Sequence, residues 1–296
     1  MRNYPAKLLL FGEHVLLLGA SALAVPVPAF TGKWARAENT KTPDRRRESL
    51  IQFAESEVLK SISGIDIEAL RNDISDGWHF PSSIPEGYGL GSSGALCAGI
   101  YNRYVLEKTQ DLPTLKGIFA RMESYFHGSS SGIDPLTSYL AQPLLIRQKT
   151  QVSVAEAAIW QEAPVVFLLD TQIPRQTGPL VEWFLDQSAQ MPFAQALNST
   201  FLPAHEAMIQ SWLRADDAEF WIHLHTVSQF QYDYFDPMIP AAIRPVWEKS
   251  LQTPGLRLKI CGAGGGGFVL GFARTEKIVK EILAEYPIVF PFENPV

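Results

Sequence analysis

The clearest pattern in the chain lies between residues 114 and 126, where Leu115, Ile118, Phe119, Met122 and Phe126 recur at every third or fourth position. That spacing lines up one apolar face of a helix. Gly128 closes it, and the small-residue loop Ser129-Ser130-Ser131-Gly132 follows. Similar periods predict helices over 50–59, 179–188, 201–214, 218–231 and 276–285, and another after Ser92 and Ser93, carried by Leu96, Ile100 and Tyr104 with Val105 beside it. Short apolar runs bounded by glycine or proline predict strands over 7–12, 15–18, 78–80, 165–169, 256–261 and 268–272. Residues 148–164 read as a connection, which divides the chain into domains over 1–155 and 156–296. Strands and helices mix without strict alternation, so the expected class is α+β, not a doubly wound parallel sheet.

Polar positions refine this picture. The stretch 36–49, with Arg45, Arg46 and Arg47 in a row, reads as a solvated loop leading into a helix. The apolar run 15–30 contains Ala22-Leu23-Ala24, which mimics a signal-peptide cleavage site. Glu13 and His14 interrupt the apolar stretch, and Gly19, Pro26 and Pro28 break it below bilayer length, so neither a signal peptide nor a membrane span is expected. His223-Leu224-His225 lacks a third ligand and reads as packing or surface; Trp160, Trp183 and Trp221 read as core.

Composition narrows the function classes. The chain has 296 residues, 46% hydrophobic and 19% charged, with net charge -6. That is a globular protein whose charge disfavours nucleic acid as a partner. Its two cysteines, Cys97 and Cys261, make neither a disulfide framework nor a zinc motif and suit a cytoplasmic setting.

Candidate chemistry concentrates in four segments. Residues 85–95 read Pro-Glu-Gly-Tyr-Gly-Leu-Gly-Ser-Ser-Gly-Ala, a glycine-rich turn, two hydroxyls and a helix start. Glycines let backbone N–H groups approach an anion, and the first helical turn adds unpaired donors. No Lys-Ser or Lys-Thr follows the last glycine, so this is not a Walker A loop, and a serine-capped turn is the alternative. Lys7, on the first strand, is a suitable point charge for a transferring phosphoryl group. Glu123 and Asp134 lie eleven positions apart across a small-residue loop, and two such carboxylates divide phosphoryl-transfer work. One holds Mg²⁺ and the other takes or orients a hydroxyl proton. Asp134 also suits an N-cap before a helix starting at Pro135. Finally, the four glycines 264–267 between two strands exceed what a hairpin needs, which implies close approach by another backbone or a ligand.

Together these four segments, in this order, resemble the GHMP kinase superfamily, most of all its mevalonate kinases. The opening Lys7 to His14, the loop 85–95, the stretch from Glu123 to Asp134 and the run from Gly262 to Phe268 carry the resemblance. It implies an N-terminal domain like ribosomal protein S5 domain 2 and a ferredoxin-like C-terminal domain, with the cleft between them. It further implies ATP and Mg²⁺ as cofactors and phosphorylation of the primary hydroxyl of mevalonate, with a sugar or another small alcohol as the alternative acceptor. A nucleotide-binding protein without catalysis is the third reading, and Lys7, Glu123 and Asp134 argue against it. By the resemblance Asp134 is the base, with Lys7 beside it. Gly87, Gly89, Leu90, Gly91, Ser92, Ser93 and Gly94 wrap the nucleotide phosphates, and Ser93 (or Ser92) and Glu123 hold the metal. Glu13, His14, Gly264 and Gly265 lie at the acceptor. Val25, Val27 and Ile84 lean towards a branched acid. A monomer or homodimer acting on a small molecule, away from membranes, is expected. Gly94 departs from the family pattern, which commonly has alanine there, and Ala6 stands where glycine is usual.

Overall fold

The N-terminal half is organised by one long hairpin. The computed structural model describes residues 1–36, 45–174 and 177–292. Strand β1 (Asn3–Phe11) pairs antiparallel with β2 (Ala22–Lys33), bringing Lys7 opposite Pro26 and Phe11 opposite Leu23. Then come β3 (Ala35–Arg36), α1 (Arg45–Glu55), α2 (Glu57–Lys60), α3 (Ile67–Ser75) and β4 (Trp78–His79). Helices α4 (Ser92–Tyr104), α5 (Leu112–His127) and α6 (Ile133–Leu140) follow, and β5 (Leu144–Arg147) and β6 (Gln151–Val154) complete a sheet of order β1-β2-β5-β6. Pro26 and Pro28 are tolerated inside β2 because β5 pairs only with Ala22–Ala24, leaving that edge free further along.

Helix α4 is the axis of this half. Its residues Gly94, Ala95, Cys97, Ala98, Gly99, Ile100, Tyr101 and Tyr104 are all buried, and a helix apolar on most sides belongs in an interior. Its small residues let neighbours come close. A Cβ on Gly94 would lie 2.8 Å from the Pro135 nitrogen and 2.9 Å from the Asp134 carbonyl carbon, so α4 and α6 meet backbone to backbone there. Helix α5 is started by Asp111, whose carboxylate accepts the Thr114 N–H at 3.0 Å. Its buried face carries Leu115, Phe119, Met122 and, at the same helical phase, Glu123.

The C-terminal half contains β7 (Val165–Asp170), α7 (Thr177–Ser188), α8 (Phe193–Ala196), α9 (Leu202–Arg214), α10 (Asp217–Tyr234), α11 (Arg244–Gln252), β8 (Leu256–Ile260), β9 (Phe268–Ala273), α12 (Glu276–Ile282) and β10 (Ile288–Val289). One wide turn, Leu197–Phe201, joins α8 to α9. The strands form an antiparallel sheet of order β10-β7-β9-β8. The two halves join through Phe11 at the end of β1. Its ring stacks on Phe272 with centroids 5.8 Å apart and lies 5.6 Å from Trp212 and 6.2 Å from Phe220. Burying such a ring contributes about 1.5–3 kcal/mol, with roughly 0.5–1.5 more for each aromatic pair.

Several expectations change. Residues 15–18 form a single helical turn, not a strand, because His14 (φ 61°) and Gly19 (φ 98°) reverse the chain on either side. The strand that follows is β2, and Ala22-Leu23-Ala24 lie buried inside its sheet. The connection at 148–164 holds β6, a four-residue Gln-Val-Ser-Val strand that pairs with β5. Of the polar stretch 36–49, residues 37–44 lie outside the described residues, and 45–49 are already helical. Val25, Val27 and Ile84 are core residues, 7%, 0% and 1% exposed. Trp160, Trp183 and Trp221 are partly buried against the core, and His223 pairs with Glu219. No helix among the described residues is long and apolar enough to cross a membrane.

The backbone contact at Gly94 leaves no side chain to move aside. Gly94→Ala is expected to lower unfolding free energy by about 1–3 kcal/mol, as overpacked sites do. Urea denaturation checks this, and an unchanged midpoint would contradict the close approach.

Candidate active site

Three elements deliver the first pair of charges. Lys7 sits mid-way along β1, and its backbone N–H donates to the Leu90 carbonyl at 2.9 Å, which ties the glycine loop to the sheet. Asp134 lies in the first turn of α6, whose N-cap is Gly132 in a left-handed conformation. Asp134 is thus inside the helix and is not its cap, while the Ser130 and Ser131 hydroxyls accept the Gly132 and Ile133 N–H groups. The outcome is a contact of 2.5 Å between Lys7 Nζ and Asp134 Oδ1. Both side chains keep some exposure, 11% and 26%. A Cβ on Gly91 would stand 3.3 Å from Asp134 Oδ2, so the loop and the carboxylate share one corner.

The second carboxylate is on the other side of the loop. Ser93 Oγ donates to Glu123 Oε1 at 3.1 Å and lies 2.9 Å from His127 Nε2, while Ser130 Oγ donates to Glu123 Oε2 at 2.5 Å. Ser93, not Ser92, is therefore the hydroxyl beside the acid. Burial, and then the negative charge of Asp134, push the Glu123 carboxyl up to about 7. A buried acid with two hydroxyls and an acidic neighbour is short of positive charge. That donor set fits Mg²⁺, which takes one or two carboxylates and completes its shell with water and phosphate oxygens. Among the described residues no group of three or more His, Cys, Asp or Glu forms an all-protein cage.

The loop itself fits an anion. Gly87, Gly89 and Gly91 have φ of 81°, 74° and 72°, values a side chain strains against. Gly91 caps α4 without any side-chain hydrogen bond, so no serine cap occupies the first-turn donors. The N–H groups of Ser92, Ser93 and Gly94 are those donors.

Across the cleft, Glu13 departs from its expected place. Its carboxylate meets Lys259 Nζ at 2.6 Å, with side chains only 2% and 1% exposed. It is a buried brace between the end of β1 and β8. Burial pushes its carboxyl up, against the pull of Lys259. His14 is 7% exposed, with Phe184 and Phe235 rings 5.1 and 6.4 Å away. Its Nε2 meets the Ala263 carbonyl at 3.0 Å, and Nδ1 is buried with no partner. Burial lowers its pKa to about 4, so the ring is neutral and Nδ1 is an unused acceptor. Gly264 and Gly265 face Met238 and Leu180, whose atoms would lie 2.7 and 2.5 Å from an added Cβ; protein packing accounts for both. The glycine of that run facing the phosphate loop is Gly267, against Tyr88.

Residues 50–142 match the family model of the GHMP kinases N terminal domain. Over 301 residues the chain is 26% identical to a mevalonate kinase of Archaeoglobus fulgidus, covering 95% of each. The chain thus carries the N-terminal domain of the GHMP kinases and is similar along its length to a mevalonate kinase. Its coarse activity is that of a GHMP-type small-molecule kinase, on an α+β fold with N- and C-terminal domains. In fold, the chain is similar to L. major mevalonate kinase in complex with R-mevalonate (TM-score 0.67, 17% identity, 98% and 96% of the two chains). It is equally similar to Lactococcus lactis galactokinase complexed with galactose (0.67, 14%, 97% and 91%). The fold alone therefore does not choose the acceptor.

Residues not singled out in the sequence complete the candidate site. His127 is one helical turn beyond Glu123, and Ser130 is within the loop that follows. Helical spacing alone was enough to put His127 beside Glu123.

Two measurements follow. Lys259→Met strands the Glu13 charge and is expected to cost about 3–5 kcal/mol, with part regained in Glu13→Gln/Lys259→Met; urea unfolding reads both, and an additive double variant would count against the pair. Glu123 holds its proton in the folded state to about pH 7, well above its ordinary value of 4.5. Stability therefore falls as pH rises between those values and stays lowered above. In metal-free protein Glu123→Gln should add on the order of 2 kcal/mol at pH 8 and little below pH 4.5; thermal melts in EDTA compare the two, and equal shifts at both pH values would remove the assignment.

Proposed function

We propose that this GHMP kinase transfers the γ-phosphoryl group of ATP to the primary hydroxyl of mevalonate. The single observation carrying the chemistry is the contact between Lys7 and Asp134 at the corner of the glycine loop. Asp134 accepts the proton of the attacking hydroxyl, which general-base catalysis makes worth roughly 10²–10⁴ in rate. Lys7 holds a positive charge beside that oxygen as its own negative charge develops. Backbone N–H groups of Gly87, Gly89, Leu90, Gly91 and the first turn of α4 would bind the phosphate chain. Ser93 and Glu123 would hold Mg²⁺, with His127 and Ser130 orienting them. When bound, the metal would supply a divalent charge that offsets the phosphoryl group in transfer.

Support for the acceptor comes from the relatives. The Archaeoglobus fulgidus protein and one from Pyrococcus abyssi, both named mevalonate kinase, share 26% identity over 95% and 92% of this chain. His14 is compatible with it: its neutral ring offers Nδ1 to an O–H donor, and apolar rings flank it. The reading keeps the ribosomal protein S5 domain 2-like and ferredoxin-like descriptions for the two domains, and a soluble small-molecule enzyme of one or two chains.

The test is ATP consumption with mevalonate, phosphomevalonate, galactose and homoserine offered in parallel. Mevalonate should be turned over best. Asp134→Asn should lose at least roughly 10² in kcat with ATP binding near wild type. Turnover of galactose alone would move the acceptor assignment, and a fully active Asp134→Asn would move the base.

A further inference from the structure

We propose that Tyr88 is a positioning residue that fastens the phosphate loop to the C-terminal half, holding it in its phosphate-wrapping shape before nucleotide arrives; this role rests on the kinase reading above. Tyr88 stands between Gly87 and Gly89, both at positive φ, where the backbone has the most freedom to lose. An aromatic side chain in such a place is free to project into solvent. Instead its ring lies 4.7 Å from that of Phe268, tilted by 54°, and beside the backbone of Gly267. Its hydroxyl donates to Asp170 Oδ1 at 3.3 Å.

The surface it docks on is built to be rigid. Asp170 ends β7, and its Oδ1 also accepts the Gln172 N–H at 2.8 Å. Thr171 donates twice to the Gly267 carbonyl, from its N–H at 2.9 Å and from Oγ1 at 2.7 Å. The Gly267 N–H in turn donates to the Ile173 carbonyl at 2.8 Å. The glycine run is thus tied to the end of β7, and Tyr88 rests on the knot. On its other side the loop is held to β1 by Lys7 N–H to the Leu90 carbonyl. Two residues apart, Tyr88 and Leu90 anchor the loop to different sheets. Nothing else among the described hydrogen bonds and ring contacts joins Tyr88 to its own half.

Ordering this loop in advance removes part of the entropic cost of binding, so the effect belongs to nucleotide affinity, not to the chemical step. The ring contact carries most of it. The hydroxyl bond is long for O–H···O and contributes less. Tyr88→Ala should therefore raise the KM for ATP about tenfold. Turnover at saturating ATP and the acceptor KM should change less than about threefold. Tyr88→Phe should stay within about threefold of wild type throughout.

The experiment combines steady-state kinetics with hydrogen exchange on nucleotide-free protein. Amides of residues 86–91 should exchange about tenfold faster in Tyr88→Ala, with the rest of the chain unchanged. An ordinary structural residue would lower thermal stability without dividing the two KM values. Unchanged exchange in the loop, or an unmoved ATP KM in Tyr88→Ala, overturns the proposal. Should the wild-type protein bind no ATP at all, the kinase reading fails and takes this role with it. The exchange data, which need no nucleotide, then show separately whether Tyr88 orders the loop.

Discussion

The buried ion pair between Glu13 and Lys259 is the constraint on which the rest of the molecule hangs. Two opposite charges with side chains 2% and 1% exposed are tolerable in one relative placement only. Lys259 spends a second N–H on the Ile260 carbonyl, so its ammonium is oriented as well as neutralised. Glu13 follows the last residues of β1, and Lys259 is one residue from the end of β8. Any slide of one half against the other would leave bare charge in a low-dielectric interior. His14, next to Glu13, meets the Ala263 carbonyl at 3.0 Å, a second tie between the segments that follow β1 and β8.

Two lysine–carboxylate pairs in one protein have been put to opposite uses, and burial is what separates them. Lys7 and Asp134 keep an open side, so both remain available to a reacting molecule. Lys259 and Glu13 are closed on every side and act as a brace. Between these limits lies Glu123, buried with the Ser93 and Ser130 hydroxyls on its two oxygens. Burial first, and then the charge of Asp134, raises its pKa, and a divalent ion would relieve it.

Much of this was legible in the chain. Apolar periodicity located α5 to within a few residues. The meeting of Lys7 with Asp134 beside Gly91, and of Ser93 with Glu123, was foreshadowed because glycine, serine and carboxylate at those spacings have few other uses together. What escaped were pairings that depend on the third dimension. Residues 15–18 look like a strand because Val15 and its leucines are apolar, but the positive φ of His14 ends any extended run. Strand β6, Gln-Val-Ser-Val, is too short for its alternation to stand out and is defined by its partner β5. Glu13 was placed at the acceptor because its motif lies there; nothing local in the sequence revealed a lysine 246 residues away. Similarly, 264–267 was rightly read as a place of close approach, but the approaching atoms belong largely to Met238, Leu180, Ile173 and Pro174.

Gly94 makes one mechanical piece of two motifs. The Asp134 carbonyl carbon and the Pro135 nitrogen occupy the space a methyl group would need there. Helix α4 therefore carries no side chain at this point unless α6 gives way, and any larger residue would press on the helix that bears Asp134. Grafting the glycine loop into another scaffold requires α6 to travel with it.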